Sequence, residues 1–239
     1  MEEMRLQKFI STAGIMSRRA AEKEIEAGNI KVNGLPAEPG QKVVPGKDRV
    51  TYKGKPVVIE NANRKIYIML NKPRGYITTL SDEKSRKCVA ELIKDVGERV
   101  YPIGRLDMES DGLLLFTNDG ELANKLTHPK HSIPKIYHVK VKGEISGEQL
   151  KKLGQPMIID EYEIMPVECE IVTRKDNYTV IKMTLFEGRN RQIRKMCELV
   201  ELEVMSLRRV AIGNIKLGDL SPGKWRYLTK TQVDYLKKA

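Results

Sequence analysis

Four carboxylates, Asp107, Glu109, Asp111 and Asp119, crowd the stretch Tyr101 to Gly120, YPIGRLDMESDGLLLFTNDG. Carboxylates serve as acids, bases or nucleophiles once a fold holds them in place. Asp107 differs from the others by its setting. Tyr101 to Leu106 alternates as a strand does, Leu113-Leu114-Leu115-Phe116 reads as a buried strand, and Gly104 and Gly112 bracket the acid with permissive backbone. The acid is thereby presented on a short loop held by core on both sides. Spacing alone does not choose among the four acids, and a loop Asp is as readily a turn cap or a solvated charge. A second cluster lies at Glu187-Gly188-Arg189-Asn190, which opens a helix with an apolar stripe of Ile193, Met196, Cys197 and Val200. Arg191 and Arg194, three apart on a face away from that stripe, can reach one phosphate or one carboxylate together.

The elements that must position these groups read as two domains, residues 1–62 and 63–239, joined by the short polar segment Ile59 to Arg64. In the first, Leu6, Phe9 and Ile10 stripe a helix that Ala13-Gly14 ends, and Ser17 caps a second helix running to Gly28. Arg18 and Arg19 sit in that helix's first turn, where cations oppose the helix dipole and an incoming phosphate would reverse the penalty. Asn33-Gly34 and Lys53-Gly54 read as tight turns, the second between Val50 and Val57. The second domain begins with a strand at Lys65 to Leu70, closed by Asn71-Lys72-Pro73-Arg74-Gly75. Cys88, Leu92, Ile93 and Val96 describe one face of a helix, and a short helix through Leu122 and Leu126 stops near Pro129. Lys135 to Lys142 alternates cleanly, which turns Tyr137, Val139 and Val141 towards the core. Met165 to Ile171 and Tyr178 to Phe186 read as antiparallel strands joined by Arg174 to Asn177. Strands around Ser206 to Val210 and Trp225 to Leu228 and a helix beyond Thr229 complete the chain. The fold class is α+β, a small helical and stranded module followed by a largely antiparallel sheet flanked by helices.

Composition narrows the partners. The 239 residues carry a net charge of +11, with 11 basic against 8 acidic residues in the first 62, so both domains favour a polyanion. No apolar run approaches the ~20 residues of a membrane span, and the charged start MEEMRLQK lacks a secretory segment, so the expected location is cytoplasmic with no membrane contact. Cys88, Cys169 and Cys197 form no CxxC pair, and His128, Pro129, Lys130 and His131 lack carboxylate or thiolate partners, so no metal site is expected.

The strings GRLD with GLLLFTNDG, LNKPRG, KIYHVKV and EGRNRQIRKM, in this order, resemble the RsuA and RluB family of ribosomal RNA pseudouridine synthases. RLQKFISTAGIMSRRAAEKEIEAGNIKVNG resembles the S4-like RNA-binding domain. Two departures stand out: Ser110 where Thr is expected, and Glu201 where a Gly often follows the basic helix. The resemblance implies isomerisation of uridine to pseudouridine without any cofactor. It implies Asp107 as the catalytic carboxylate, Tyr137 stacking on the uracil and taking the C5 proton, and Arg194 as ion-pair partner of Asp107 with Arg191 as fallback. Arg105 would fill the space of the flipped uridine. Arg5, Lys8, Ser17, Arg18, Arg19, Lys31 and Asn33 would contact RNA. The expected substrate is 23S ribosomal RNA or an assembling large-subunit particle, handled by a monomer, with 16S ribosomal RNA as the alternative. A non-catalytic assembly factor would use the same basic surfaces, and a hydrolase would need a paired acid or metal ligands that the chain lacks.

Overall fold

The computed structural model describes residues 2–59, 64–128 and 133–239. The expected linker at Ile59 to Arg64 falls largely on residues 60–63, and the segment Pro129 to His131 on 129–132, both outside the described residues. Contacts divide the chain into two compact units, Met1–Lys65 and Ile66–Ala239.

The first unit runs β1 (Met4–Arg5), α1 (Leu6–Thr12), α2 (Arg18–Glu26), β2 (Ile30–Val32), β3 (Leu35–Pro36), β4 (Lys42–Val43), β5 (Val50–Tyr52) and β6 (Lys55–Val57). Ser17 stays extended and its hydroxyl accepts the Ala20 N–H at 3.2 Å, satisfying one of the free donors at the start of α2. The helix ends in a Schellman motif: Gly28 takes φ +72° and donates to Ile25 O, while Asn29 N donates to Glu24 O. The strand order is β3-β2-β5-β6, and the Asn33-Gly34 and Lys53-Gly54 connections both take positive φ at both residues, as type I′ turns require. Leu6, Phe9, Ile10, Ile25, Ile30 and Val50 form the buried core.

The second unit runs β7 (Tyr67–Lys72), a 3₁₀ segment (Val89–Val96), β8 (Tyr101–Ile103), β9 (Asp111–Thr117), α3 (Gly120–Thr127), β10 (Lys135–Lys142), α4 (Gly147–Leu153), β11 (Ile158–Ile159) and β12 (Tyr162–Glu163). It continues with β13 (Glu168–Lys175), β14 (Tyr178–Leu185), α5 (Gln192–Leu199), β15 (Val204–Ile212), β16 (Ile215–Lys216), β17 (Trp225–Tyr227) and α6 (Lys230–Lys238). The sheet order is β13-β14-β10-β15-β9-β7-β17, with β8 on β9 and β16 on β15. Every pairing is antiparallel except β9 with β15. Both faces of the sheet are covered. Ile68, Leu70, Leu114 and Phe116 pack with the 3₁₀ segment, α4 and α5, whereas Tyr67, Met69, Leu113 and Leu115 pack with α3 and α6. That is why β7 and β9 are continuous apolar runs while β10 alternates.

Several elements depart from the sequence reading. The Cys88 to Val96 face belongs to a 3₁₀ segment, broken at Ile93 (φ −124°) and ended by left-handed Gly97. The hairpin expected from Met165 starts at Glu168, and because Lys175 pairs with Tyr178 its turn is only Asp176-Asn177. Helix α5 begins at Gln192 rather than at Glu187, since Arg191 takes φ +50° as its N-cap. Gln192 closes the preceding segment, accepting the Arg189 N–H and donating to Glu187 Oε1, both at 3.1 Å. Cys88, Cys169 and Cys197 are free thiols. Among the described residues no helix is long and apolar enough to cross a membrane.

Candidate active site

The loop between β8 and β9 is fixed through its backbone. Lys72, fully buried at the end of β7, donates from Nζ to Asp107 O (3.0 Å), Ser110 O (2.7 Å) and Pro73 O (3.1 Å). Thr78 both donates to Leu106 O (2.6 Å) and accepts from Leu106 N (3.1 Å). Gly75 N and Ser110 N donate to Met108 O and Asp107 O. With the main chain anchored, the half-buried Asp107 carboxylate has no hydrogen bond or ion pair among the described residues. Burial pushes the Lys72 ammonium down to about 8, against the pull of Asp111 and Asp107. Burial also raises the Asp111 carboxyl, opposed by Arg208, Arg74 and Lys72.

Asp107 opens into a cavity of about 610 Å³, within the range of small-molecule sites at ~300–1,000 Å³. Arg105, Asp107 and Ser110 line it from the loop, together with the buried Tyr137 and Arg209 and the half-buried Lys135. The Glu187 to Ile193 segment forms a further wall, where Arg189 stacks its guanidinium carbon 3.0 Å from the Tyr162 ring centroid. Tyr137 and Arg209 are direct partners across the β10–β15 ladder. Arg209 Nε donates to Leu113 O at 2.8 Å and Nη1 reaches the Tyr137 hydroxyl at 3.5 Å. Residues from β8, β9, β10, β15 and the approach to α5 thus meet around one acid.

The sequence of residues 66–199 matches the RNA pseudouridylate synthase family, and residues 4–49 match the S4 domain. The chain belongs to the RNA pseudouridylate synthases. An RNA pseudouridine synthase of Aquifex aeolicus is 44% identical over 241 residues, covering 100% of this chain and 96% of that protein. A Bacillus subtilis protein named ribosomal large subunit pseudouridine synthase B is 43% identical, covering 98% and 95%. A crystal structure of a pseudouridylate synthase superposes with a TM-score of 0.69 at 26% identity, covering 98% of this chain and 99% of that one. This synthase is an enzyme that acts on RNA, and most of its cavity lining falls within the matched residues 66–199, with Leu207, Arg209 and Ile212 beyond them.

Of the residues singled out in the synthase sequence, Arg105, Asp107, Tyr137 and Arg191 line the cavity, and Arg194 does not. Arg194 donates from Nη2 to Glu109 O at 3.1 Å, and Arg191 Nη2 lies 3.6 Å from the Glu109 carboxylate. The two arginines therefore meet one acidic residue of the Asp107 loop, and Arg194 forms no ion pair with Asp107 among the described residues. Burial and the charge of Arg191 lower the Arg194 guanidinium, against Glu109 and Asp107. In the S4 unit Arg5, Arg18, Arg19 and Lys31 are exposed and Lys8 is half-buried. Ser17 is engaged in its cap, and Asn33 is held by its own turn, donating to Asp48 Oδ1 (2.9 Å) and accepting from Arg49 N (2.8 Å). That bond and the Val44 N–H keep the Asp48 carboxyl below the usual range, Val44 contributing most.

Lys72, Lys135 and Arg209 escaped the sequence reading. Arg209 does leave a signal: in the alternation of β15, Leu207, Arg209 and Ala211 share the buried face, and an arginine on an apolar strand face calls for a polar partner. Lys72 leaves none, because β7 is buried on both faces and its side chain direction depends on a loop distant in sequence.

Proposed function

We propose that this synthase converts a specific uridine to pseudouridine in 23S ribosomal RNA. The observation that carries the site assignment is the unpartnered Asp107 carboxylate on an anchored loop, opening into a cavity that the buried Tyr137 also lines. Asp107 acts at C1′ of the flipped uridine to promote departure of the base, and a preset carboxylate does so without reorganising. Tyr137 packs against the uracil and takes the C5 proton. Arg194, which feels the charge of Asp107, braces that loop through Glu109 O, and Arg191 lines the cavity for a backbone phosphate. Exposed Arg105, two residues before Asp107, occupies the place that the flipped base leaves.

The S4 unit tethers the enzyme through Arg5, Lys8, Arg18, Arg19 and Lys31, the two arginines flanking the free amides at the start of α2. Ser17 and Asn33 serve there by shaping the helix start and the turn. The large-subunit target is supported by the name of the Bacillus subtilis relative, aligned over 98% of this chain.

The test is site-resolved pseudouridine mapping on 23S and 16S transcripts with the enzyme and its Asp107→Asn variant. One 23S uridine converted by the enzyme and not by the variant, with RNA affinity kept, is expected. Conversion confined to 16S RNA overturns the subunit assignment, and an active Asp107→Asn enzyme overturns the assignment of the acid.

A further inference from the structure

Two cations, the buried Arg209 and the half-buried Lys135, line the cavity with no carboxylate bonded to either among the described residues. Arg209 is only 3% exposed, yet a guanidinium offers five N–H donors, and its Nη2 has no hydrogen-bond partner among the described residues. Its Nε and Nη1 are spent on Leu113 O and on the Tyr137 hydroxyl. Lys135, two residues before Tyr137 on β10, donates among the described residues only to Ile133 O, at 3.3 Å. Burial and the nearby Arg209 both lower its ammonium, with Glu187 opposing. A buried cation bonded to no carboxylate, as Arg209 is among the described residues, is costly to keep, and the cost is offset when an anion arrives. Asp107 lines the same cavity on the loop side, and Arg194 lies outside the lining.

We propose that Arg209 and Lys135 form an anion-stabilising floor that takes the negative charge of the uracil ring while it is detached from the ribose. This deepens the proposed function and rests on it. When the C1′–N1 bond breaks, its electron pair leaves with the base, giving a uracil anion delocalised over N1, O2 and O4. Uracil in the intact uridine is neutral, so the attraction grows as the bond breaks and lowers the barrier rather than merely tightening binding. Asp107 on the sugar side and the two cations on the base side orient the field along the breaking bond. After the ring turns, its C5 bonds to C1′, and the C5 proton passes to the Tyr137 oxygen as the phenol's own proton is relayed to N1, a net shift from C5 to N1 that leaves base and phenol neutral with no co-reactant. A backbone-only strut between β9 and β10 would leave Nη2 no task.

The experiment compares full-length enzyme with Arg209→Met, Arg209→Lys and Lys135→Met in single turnover. The substrates are 23S transcripts made with uridine or with 5-fluorouridine, whose base is more acidic and needs less help to leave. Conversion is followed by nucleoside analysis, as gain of pseudouridine or loss of 5-fluorouridine, and transcript affinity is measured separately. Arg209→Met should lower uridine conversion by ~10²–10³-fold, as loss of an oxyanion donor does. Arg209→Lys should recover at least ~10-fold of that, and affinity should move by less than ~3-fold. On 5-fluorouridine the Arg209→Met deficit should shrink to ~10-fold. Lys135→Met, at a half-buried position, should show a smaller deficit with the same shrinkage, and it carries the comparison if Arg209→Met does not fold. Equal deficits on the two substrates, or a rate within ~3-fold of the parent, overturn the proposal. A parent enzyme that converts neither transcript overturns the substrate reading, and the floor with it.

Discussion

Gly112 is where the only parallel pairing of the described sheet is made, opposite Arg209, and an alanine there tests whether that junction holds the site together. A Cβ on Gly112 would stand 2.2 Å from Arg209 O, 2.8 Å from Arg209 N and 3.0 Å from Arg209 C, all backbone atoms that no rotamer can move. Ordinary carbon contacts lie at ~3.5–4.0 Å, so β9 and β15 must part by about 1.3–1.8 Å. The register there consists of Asp111 with Arg208 and Gly112 with Arg209, and weakening two ladder bonds costs about 1 kcal/mol each. Gly112 also has φ +107°, a conformation costing an L-residue ~1–3 kcal/mol. The sum is about 3–5 kcal/mol, which in a unit of this size lowers Tm by roughly 6–20 °C. Gly104→Ala is the control: φ is +77° there, but nothing lies within 4 Å, so only ~1–2 kcal/mol of strain is expected. Thermal unfolding by circular dichroism, paired with pseudouridine formation at 20 °C or below (about that temperature sufficing to keep both variants folded), reads both effects. Equal Tm losses for the two variants would refute the close-approach argument.

Two further outcomes follow from single residues. Glu201 occupies the left-handed C′ position after α5 at φ +58°, with Leu202 N bonded to Cys197 O and Glu201 N to Glu198 O, so Glu201→Gly should stabilise by about 1 kcal/mol in denaturant unfolding. Lys72 has a folded value of about 8, below the 10.5 of the free side chain, so between about pH 8 and 10.5 the folded state binds fewer protons than the unfolded state. Stability contributed by this group is therefore lowest below pH 8 and rises through that window by up to roughly 3 kcal/mol. Activity should fall over the same window, as the neutral amine loses one of the donors that hold the Asp107 loop. Denaturant unfolding of the parent and of Lys72→Met at pH 7, 8, 9 and 10, values spanning about that interval, should show the parent gaining relative to the variant. A parallel pH course for both removes Lys72 as the cause.

Much of the site was legible because its parts obey local rules. The Ser17 cap, the Gly28 stop, the Asn33-Gly34 and Lys53-Gly54 turns and the alternation that buries Tyr137 each depend on a few neighbouring residues. The Gly that the family resemblance leads one to expect at 201 finds a local reason in the structure, since the chain leaves α5 through a left-handed residue. The start of α5 was misread because a basic, helix-like string says nothing of Arg191 turning left-handed under the pull of the Gln192 bonds.

By itself, then, the sequence determined the two-domain α+β plan, the loop acid and its apolar flanks, because caps, turns and periodicity act over one or two turns of chain. Only the tertiary structure decided that β15 inserts parallel beside β9, that Lys72 is the clamp of the Asp107 loop and that Arg209 lines the cavity. Those contacts join residues 35 and 96 positions apart, from Lys72 to Asp107 and from Arg209 to Leu113. No local preference encodes such pairings. They arise because burying both faces of β7 and β9 leaves a lysine and an arginine nowhere to point except at backbone carbonyls and the cavity.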